Sequence, residues 1–277
     1  MPIDYEAEYN NRARVPEHPQ IFEGWQRDAA AYREQAKAEG RAELGIRFGS
    51  TARQYIDVFA PKDGAASAPL ALFIHGGYWR SLDPSMFSHM ARGMNAHGVT
   101  VAVSGYDLVP QVSIADIMAQ TEAACVALWK KFGKRVMVSG HSAGGHLAAC
   151  IAATDWTKRG APADFVPACY AVSGLYDLTV LTHLAGNAEF KLTEASARAI
   201  SPLFWPAPKG KVFDSVVGGD ESAEFLRHSK TIAEAWANGN ETRYEAVPGK
   251  NHFTVCDAMA EPGSAMTRRM VELSRRT

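Results

Sequence analysis

The sequence predicts an α/β fold, in which a mostly parallel central sheet carries helices on both of its faces. From about residue 46, short and nearly continuous apolar segments alternate with longer segments that have helical patterning. Strands that are apolar on both sides are typical of buried parallel sheets, and the segments between them supply the crossover helices. The chain has 277 residues, 47% of them apolar, which is enough to bury the core of a single domain.

The predicted elements follow one another in a regular order. Apolar segments predict strands at 54–60, 70–74, 99–104, 135–139, 168–173, 211–217 and 242–247. Helices are predicted between them at 84–96, 114–132, 143–153, 222–238 and 256–275. Ligands of such sheets bind beyond the carboxyl ends of the strands, so residues that directly follow a strand are the first candidates for a site.

Two segments depart from this alternation. Residues 1–45 are rich in charged and amide side chains, contain loosely spaced aromatic residues, and are interrupted by Pro16 and Pro19. Their aromatic residues favour a helical arm that packs as a cap, and a flexible tail is the alternative. Residues 174–208 form an irregular insert that contains Trp205, and we expect this insert to fold over the site as the other part of a small cap.

Composition excludes several classes of partner. The net charge is −1 and no basic stripe is visible, which argues against nucleic acid and anionic membranes as partners. No apolar run approaches the roughly 20 residues that span a bilayer, and the N-terminus lacks the pattern of a signal peptide. The four cysteines are scattered in apolar surroundings and are interpreted as reduced core thiols. A cytoplasmic protein without a cofactor is expected, and a homodimer is compatible with the sequence.

Ser142 is the most informative residue of the chain. It lies in the run GHSAG at 140–144, directly between the predicted strand 135–139 and the apolar helix 143–153. A serine in such a tight strand-to-helix turn needs small flanking residues, and the turn exposes its hydroxyl above the end of the sheet. The pattern therefore predicts that Ser142 is a nucleophile.

The run HGGYW at 75–79, which follows the predicted strand 70–74, supports this interpretation. Attack by a serine on an acyl group creates a negatively charged oxygen, which backbone N–H groups stabilise. Glycine allows the chain to approach that oxygen closely because it has no Cβ. Such a set of N–H groups is called an oxyanion hole, and we expect the backbone amides of Gly76, Gly77 and Ala143 to form it. A simple glycine turn is the alternative, and His75 is expected to hold the turn through the backbone rather than to act in catalysis.

A serine hydroxyl also needs a base, and the base needs a carboxylate that orients it. In this type of sheet the chain order is serine, acid, histidine. The histidines that follow Ser142 are His146, His183, His228 and His252. His252 is predicted to be the base because it lies in a glycine-containing loop after the last strand.

Asp220 is predicted to be the acid because it follows the strand 211–217 that precedes this loop. Glu221 is the adjacent alternative, since a small change in the loop path could exchange the two. Asp177 comes one strand too early and suits a helix cap, and Asp107 precedes the nucleophile.

These residues give the chain a resemblance to a known family. The runs at 75–79 and 140–147 resemble the hormone-sensitive-lipase-like branch of the α/β-hydrolase fold. Within this branch the chain is most similar to the serine-type arylformamidases, or kynurenine formamidases. Three further runs carry this second likeness, namely YNNRARVP at 9–16, ISPL at 200–203 and GGDESAEFL at 218–226.

The resemblance runs over nearly the whole chain and implies an α/β-hydrolase fold with a Ser-His-Asp triad and an acyl-enzyme intermediate. It implies the same catalytic residues as above, Ser142, Asp220 and His252, with the hole at Gly76, Gly77 and Ala143. The implied substrate is an aryl formamide such as N-formyl-L-kynurenine.

The choice of substrate leaves alternatives open. Tyr78 and Trp79 adjoin the expected hole and could line an aromatic pocket, although Trp79 could equally pack the loop against the fold. A carboxylesterase for short acyl esters is the second hypothesis, and a ligand-binding protein that has lost catalysis is the third. A metal hydrolase is not favoured, because the sequence has no HExxH or comparable cluster of ligands.

Overall fold

The structure of this chain, a computed structural model, describes residues 3–276 and is built on one eight-stranded sheet. Its strands are β1 (Ala42–Arg47), β2 (Tyr55–Phe59), β3 (Leu70–Ile74), β4 (Thr100–Ser104), β5 (Val136–His141), β6 (Ala168–Val172), β7 (Val212–Gly218) and β8 (Glu241–Val247). The order across the sheet is β1-β2-β4-β3-β5-β6-β7-β8. Strands β1 and β2 pair antiparallel with their neighbours, and the other pairs are parallel.

Helices cover both faces of this sheet. The α-helices are α1 (Tyr5–Tyr9), α2 (Asn11–Arg14), α3 (His18–Ala38), α4 (Ala91–Asn95), α5 (Ile114–Phe132), α6 (Ala143–Ala153), α7 (Asn187–Phe190), α8 (Glu194–Ala199), α9 (Ala223–Ala235), α10 (Asp257–Ala260) and α11 (Ala265–Ser274). Short 3₁₀-helices lie at Pro84–Met90, Trp156–Arg159, Leu178–His183, Pro202–Phe204 and Thr254–Cys256. Among residues 3–276, the longer helices are too polar or too short to cross a membrane.

The predicted α/β architecture is confirmed, because all seven predicted strands form and six of them, β3 to β8, make up the parallel part of the sheet. The prediction missed β1, which lies partly inside the segment 1–45. Side chains of β1 are half-buried and exposed in alternation, as expected at the edge of a sheet, so this strand lacks the apolar signal of the central ones.

The predicted helix 256–275 is interrupted. It is divided into α10 and α11, with Pro262 and Gly263 between them. The residue before the proline, Glu261, has an extended backbone (φ −93°, ψ 114°), which is the conformation that a following proline imposes. The predicted helix 84–96 likewise begins as a 3₁₀-helix and continues as α4.

The core lies on both sides of the sheet. Along β3, Leu70, Leu72 and Ile74 pack into one buried cluster, whereas Ala71 and Phe73 pack into the other. This alternation explains why the strand is apolar at every position. The four cysteines are buried free thiols, as the sequence predicted.

The N-terminal arm is folded against the domain. Helix α3 packs on the 3₁₀-helix Pro84–Met90, and α1 packs on α9. The buried hydroxyl of Tyr9 donates a hydrogen bond to Glu224 Oε2 (2.7 Å) and lies 2.7 Å from His228 Nε2. The other ring nitrogen of His228 accepts the backbone N–H of Tyr176 at 3.1 Å. This network ties the first helix to the body of the protein.

We predict that the protein loses stability as the pH falls from about 6.5 towards 4. Burial lowers the pKa of His75 and His146 to about 4 and that of His228 to about 3, from an ordinary value of 6.5. Between these values the unfolded chain binds more protons than the folded one, so the free energy of unfolding decreases with decreasing pH. Each such histidine contributes about 2 kcal/mol to the difference between pH 7 and pH 5.

Urea unfolding at pH 7 and pH 5 measures this difference. His146→Gln should reduce it by about 2 kcal/mol relative to wild type. His97→Gln, at an exposed position, serves as the control and should leave it unchanged. An equal pH difference in wild type and His146→Gln would contradict the prediction.

Candidate active site

Ser142 occupies a sharp turn between β5 and α6. Its backbone has φ 57° and ψ −120°, a conformation that residues other than glycine rarely adopt. The Ser142 N–H donates to the carbonyl of Val172 at 2.9 Å, and the Ser142 carbonyl accepts the N–H of His146 at 3.1 Å. The strand on one side and the helix on the other therefore hold the serine in this strained conformation.

The residues on both sides of this turn must be glycines, because there is no room for a Cβ atom. A Cβ on Gly140 would lie 2.1 Å from the carbonyl oxygen of Gly144. A Cβ on Gly144 would lie 2.0 Å from the carbonyl oxygen of Ile74 on the neighbouring strand. Both distances are far shorter than van der Waals contact, which explains why the turn has glycine at these two positions.

His252 lies beside Ser142 in the folded chain. Its Nε2 is 3.1 Å from Ser142 Oγ, and the histidine is only 4% exposed. The preceding residue shapes the loop, since Asn251 Oδ1 accepts the N–H groups of Phe253 (3.0 Å) and Thr254 (2.9 Å). A neutral imidazole at this position can accept the proton of the serine hydroxyl.

The other three histidines have different surroundings. His146 donates from Nε2 to the carbonyl of Ile200 (2.8 Å), His183 stacks on Tyr5, and His228 belongs to the Tyr9 network. Within residues 3–276, His252 alone of the four forms a hydrogen bond with the hydroxyl of Ser142.

The carboxylate at His252 belongs to Glu221, and the prediction of Asp220 is corrected. Glu221 Oε2 is 2.6 Å from His252 Nδ1. Its other oxygen, Oε1, accepts hydrogen bonds from Ser173 Oγ (2.5 Å) and from the Gly218 N–H (2.7 Å). Asp220 is exposed, and its side chain forms no ion pair with His252 in the described part of the chain.

A tight turn decides between the two neighbours. The Glu221 N–H donates to the carbonyl of Gly218 at 3.1 Å, which closes a four-residue turn after β7. The Asp220 N–H donates to the Lys250 carbonyl at 3.0 Å, so the backbone there is fixed as well. The turn directs Glu221 into the protein and Asp220 towards solvent, and the pattern GGDE contains no local signal of this choice.

Gly76 and Ala143 adjoin the serine, and Gly77 lines the cavity above it. A Cβ on Gly76 would lie 2.9 Å from Ser142 Cβ, which shows how closely the two chains approach. Gly77 has φ 112°, a value that favours glycine. Within residues 3–276, the backbone N–H groups of these three residues donate to no protein acceptor.

Two buried histidines hold the loops around the serine. His75 Nδ1 donates to the carbonyl of Gly76 (2.7 Å), and its ring stacks between Phe87 and Tyr106. This is the backbone-holding role that the sequence predicted. His141 donates from Nε2 to the carbonyl of His252 at 2.7 Å and thereby joins the serine turn to the histidine loop. Burial lowers the pKa of His141 well below its usual value.

A cavity of about 410 Å³ opens above Ser142 and His252. Its walls come from three parts of the chain: the N-terminal arm, the loops at the strand ends, and the insert. The arm contributes Glu6, Tyr9, Asn10, Asn11, Arg12, Phe22 and Trp25, and the insert contributes Leu184, Gly186, Glu189 and Phe190. Both segments that were expected to form a cap therefore line the cavity.

The expectation for the two aromatic residues after the glycines is only partly met. Tyr78 lines the cavity, and its hydroxyl donates to the carbonyl of Tyr9 at 2.6 Å. Trp79 does not line it: this side chain is fully buried and packs edge-on against His146 and Phe190. Of the two alternatives for Trp79, the structure therefore shows the second, packing of the loop against the fold, because the loop turns its indole into the core.

The aromatic wall of the cavity is made by other residues. Phe22 stacks on Trp25 with ring centroids 5.2 Å apart and meets Phe253 edge-on at 5.2 Å. Phe253 directly follows His252. The aromatic residues of the arm predicted that it packs against the protein, but their spacing does not indicate which residues they contact.

Within 3–276, no group of three or more His, Cys, Asp or Glu side chains could hold a metal ion.

Comparisons with known proteins agree with this architecture. The sequence model of a protein family described as BD-FAE matches residues 56–184. A kynurenine formamidase from Salmo salar is 27% identical over 250 residues, which cover 87% of this chain and 84% of the relative. A kynurenine formamidase from Drosophila melanogaster is 28% identical over 256 residues, covering 85% of this chain and 83% of the relative.

A solved structure extends the similarity to the whole fold. A protein from Silicibacter sp. TM1040, provisionally named a thioesterase, superimposes with a TM-score of 0.87 at 29% sequence identity. The superposition covers 96% of this chain and 98% of that protein. The sheet order, the turn at Ser142 and these similarities together show a hydrolase of the α/β-hydrolase fold that is similar in sequence to kynurenine formamidases.

Proposed function

We propose that this chain is a serine hydrolase that cleaves aryl formamides such as N-formyl-L-kynurenine. One observation carries the proposal: a continuous hydrogen-bonded series from Ser142 Oγ through His252 to Glu221 at the base of the cavity. The sequence similarity to kynurenine formamidases over more than four-fifths of the chain supports the substrate class.

In the first half-reaction, Ser142 Oγ attacks the formyl carbon while His252 Nε2 takes its proton. The buried Glu221 carboxylate holds neutral His252 in the tautomer that carries its proton on Nδ1, and it stabilises the imidazolium that forms. The N–H groups of Gly76, Gly77 and Ala143 have no protein acceptor and are available to the developing oxyanion. His252 then donates the proton to the leaving nitrogen, and the arylamine departs.

In the second half-reaction, water attacks the formyl ester of Ser142 with His252 as the base. His252 then returns the proton to Ser142 Oγ, formate leaves, and the free enzyme is restored. The aromatic wall of Phe22, Trp25 and Phe253 supports an aryl leaving group, because aromatic rings pack favourably against one another at such distances.

We expect Ser142→Ala to lower kcat by about 10⁴-fold or more, because the covalent step has no other nucleophile. Hydrolysis of N-formyl-L-kynurenine, p-nitrophenyl acetate and p-nitrophenyl butyrate measures this loss. Ser139→Ala is the matched control: Ser139 lies three residues earlier on β5, and its hydroxyl donates to the Leu72 carbonyl away from the cavity. Activity that survives in Ser142→Ala would overturn the mechanism.

The same three substrates separate the two substrate classes. A strong wild-type preference for the formamide supports the proposal. Turnover of the esters alone, lost in Ser142→Ala, would retain the triad and assign a carboxylesterase instead. Binding without turnover of any of the three would favour a non-catalytic protein.

We expect Glu221→Gln to lower kcat by roughly 10²- to 10⁴-fold, because an amide neither stabilises the imidazolium nor fixes the tautomer of His252. Asp220→Asn is the matched control, since it makes the same chemical change one residue away on an exposed side chain. It should alter kcat less than about threefold, because the exposed side chain of Asp220 contacts neither His252 nor the cavity. A larger loss in Asp220→Asn than in Glu221→Gln would contradict the assignment of the acid.

A further inference from the structure

Ser173, which directly follows β6, has a strained backbone conformation. Its φ of 51° lies in the left-handed region, where glycine is free of strain and a residue with a Cβ is not. Strain of this kind persists only where the surrounding structure enforces it, and it is frequent at functional sites. The residue is also fully buried although its side chain is polar. A serine is therefore present at a position where glycine would satisfy the backbone better.

One peptide unit fixes the position of this serine. The carbonyl of Val172 accepts the N–H of Ser142 at 2.9 Å, and the Ser173 N–H of the same peptide unit donates to the carbonyl of Val216 at 2.7 Å. Because a peptide unit is planar, these two bonds hold the Cα of Ser173 in a fixed relation to the nucleophile and to β7. The side chain of Ser173 thus starts from a point that both neighbouring strands determine.

The hydroxyl of Ser173 is directed at the acid. Its Oγ donates to Glu221 Oε1 at 2.5 Å, and this hydroxyl forms no other hydrogen bond within residues 3–276. The Gly218 N–H donates to the same oxygen at 2.7 Å, whereas the other oxygen, Oε2, lies 2.6 Å from His252 Nδ1. The Glu221 side chain is fully buried, so its charge depends on these donors in place of water.

We propose that Ser173 is a positioning residue for the hydrolysis, which keeps Glu221 ionised and keeps its Oε2 aimed at His252. This inference rests on the proposed function. A donor on Oε1 leaves Oε2 as the oxygen that meets Nδ1, and that arrangement orients the base. The left-handed φ gives the hydroxyl its direction, which accounts for the strain. Ser173 is not among the residues that line the cavity, so it acts through Glu221 and not on the substrate.

Two substitutions separate the hydroxyl from the backbone. Ser173→Gly removes the hydroxyl and relieves the strain, because glycine adopts a φ of 51° freely. Ser173→Ala removes the hydroxyl and keeps the strain. Urea unfolding should therefore have a higher midpoint for Ser173→Gly than for Ser173→Ala, whereas both variants should lose activity.

We expect both variants to lower kcat about tenfold with little change in KM, because a hydrogen bond to a charged group is lost outside the cavity. The substrates are N-formyl-L-kynurenine and p-nitrophenyl acetate. Ser104→Ala is the matched control, since it removes another fully buried serine hydroxyl at a strand end, which donates to the Gly105 carbonyl at 3.0 Å. It should keep kcat within about twofold of the wild-type value.

A double-mutant cycle decides whether Ser173 acts through Glu221. In the Glu221→Gln background, Ser173→Gly should change kcat by less than about twofold, because the carboxylate on which the hydroxyl acts is already absent. An unchanged kcat in Ser173→Gly, or the same loss in both backgrounds, would overturn the proposal. A kcat that falls in Ser173→Ala and is normal in Ser173→Gly would overturn it as well, since strain would then explain the loss.

A second reaction distinguishes failure of this inference from failure of the proposed function. Diisopropyl fluorophosphate forms a bond between Ser142 Oγ and phosphorus and expels fluoride, so it requires an activated serine but no particular substrate. If wild type cleaves no aryl formamide, the proposed function fails, and the rate of this modification still tests Ser173. A decrease of about tenfold in Ser173→Gly supports the positioning role, and an unchanged rate overturns it.

Discussion

The arrangement of this site depends on one strained turn. Ser142 has a positive φ in the strained turn between β5 and α6, and β5 is hydrogen-bonded to parallel neighbours on both sides. A turn of this kind costs free energy, and it persists because the surrounding structure over-determines it. The bond from Ser142 N–H to Val172 and the close contact of Gly144 with Ile74 both require the neighbouring strands. The serine can therefore be presented only when the centre of the sheet is complete.

The buried carboxylate of Glu221 imposes a second constraint on the fold. Glu221 is surrounded by protein, and an ionised group in such a position is tolerated only if hydrogen bonds replace its water. Ser173 and the Gly218 N–H hold one carboxylate oxygen, and His252 holds the other. These donors come from the ends of β6 and β7 and from the loop after β8. The acid is thus positioned by three strand ends at once, which is a property of the sheet order rather than of the local sequence.

The N-terminal arm completes the cavity from the opposite side. Tyr9 fixes the arm through Glu224 and His228, and the hydroxyl of Tyr78 joins the strand-end loop to the backbone of Tyr9. The substrate cavity consequently combines a rigid base made by strand ends with walls made by the arm and the insert. Charged and aromatic groups of the walls can vary without disturbing the strained turn, which is how one hydrolase fold can accommodate different leaving groups.

The sequence by itself determined the elements whose signals are local. The boundaries of β3, α5 and α6 match the prediction because apolar patterning and turn glycines specify them over a few residues. The placement of Ser142 beside His252 was predictable from the chain order of strand ends. Tertiary structure alone decided the acid, because only the path of the turn after β7 separates Glu221 from Asp220. It also decided that Trp79 is buried, because side-chain direction in a loop depends on contacts with distant residues and not on the neighbouring sequence.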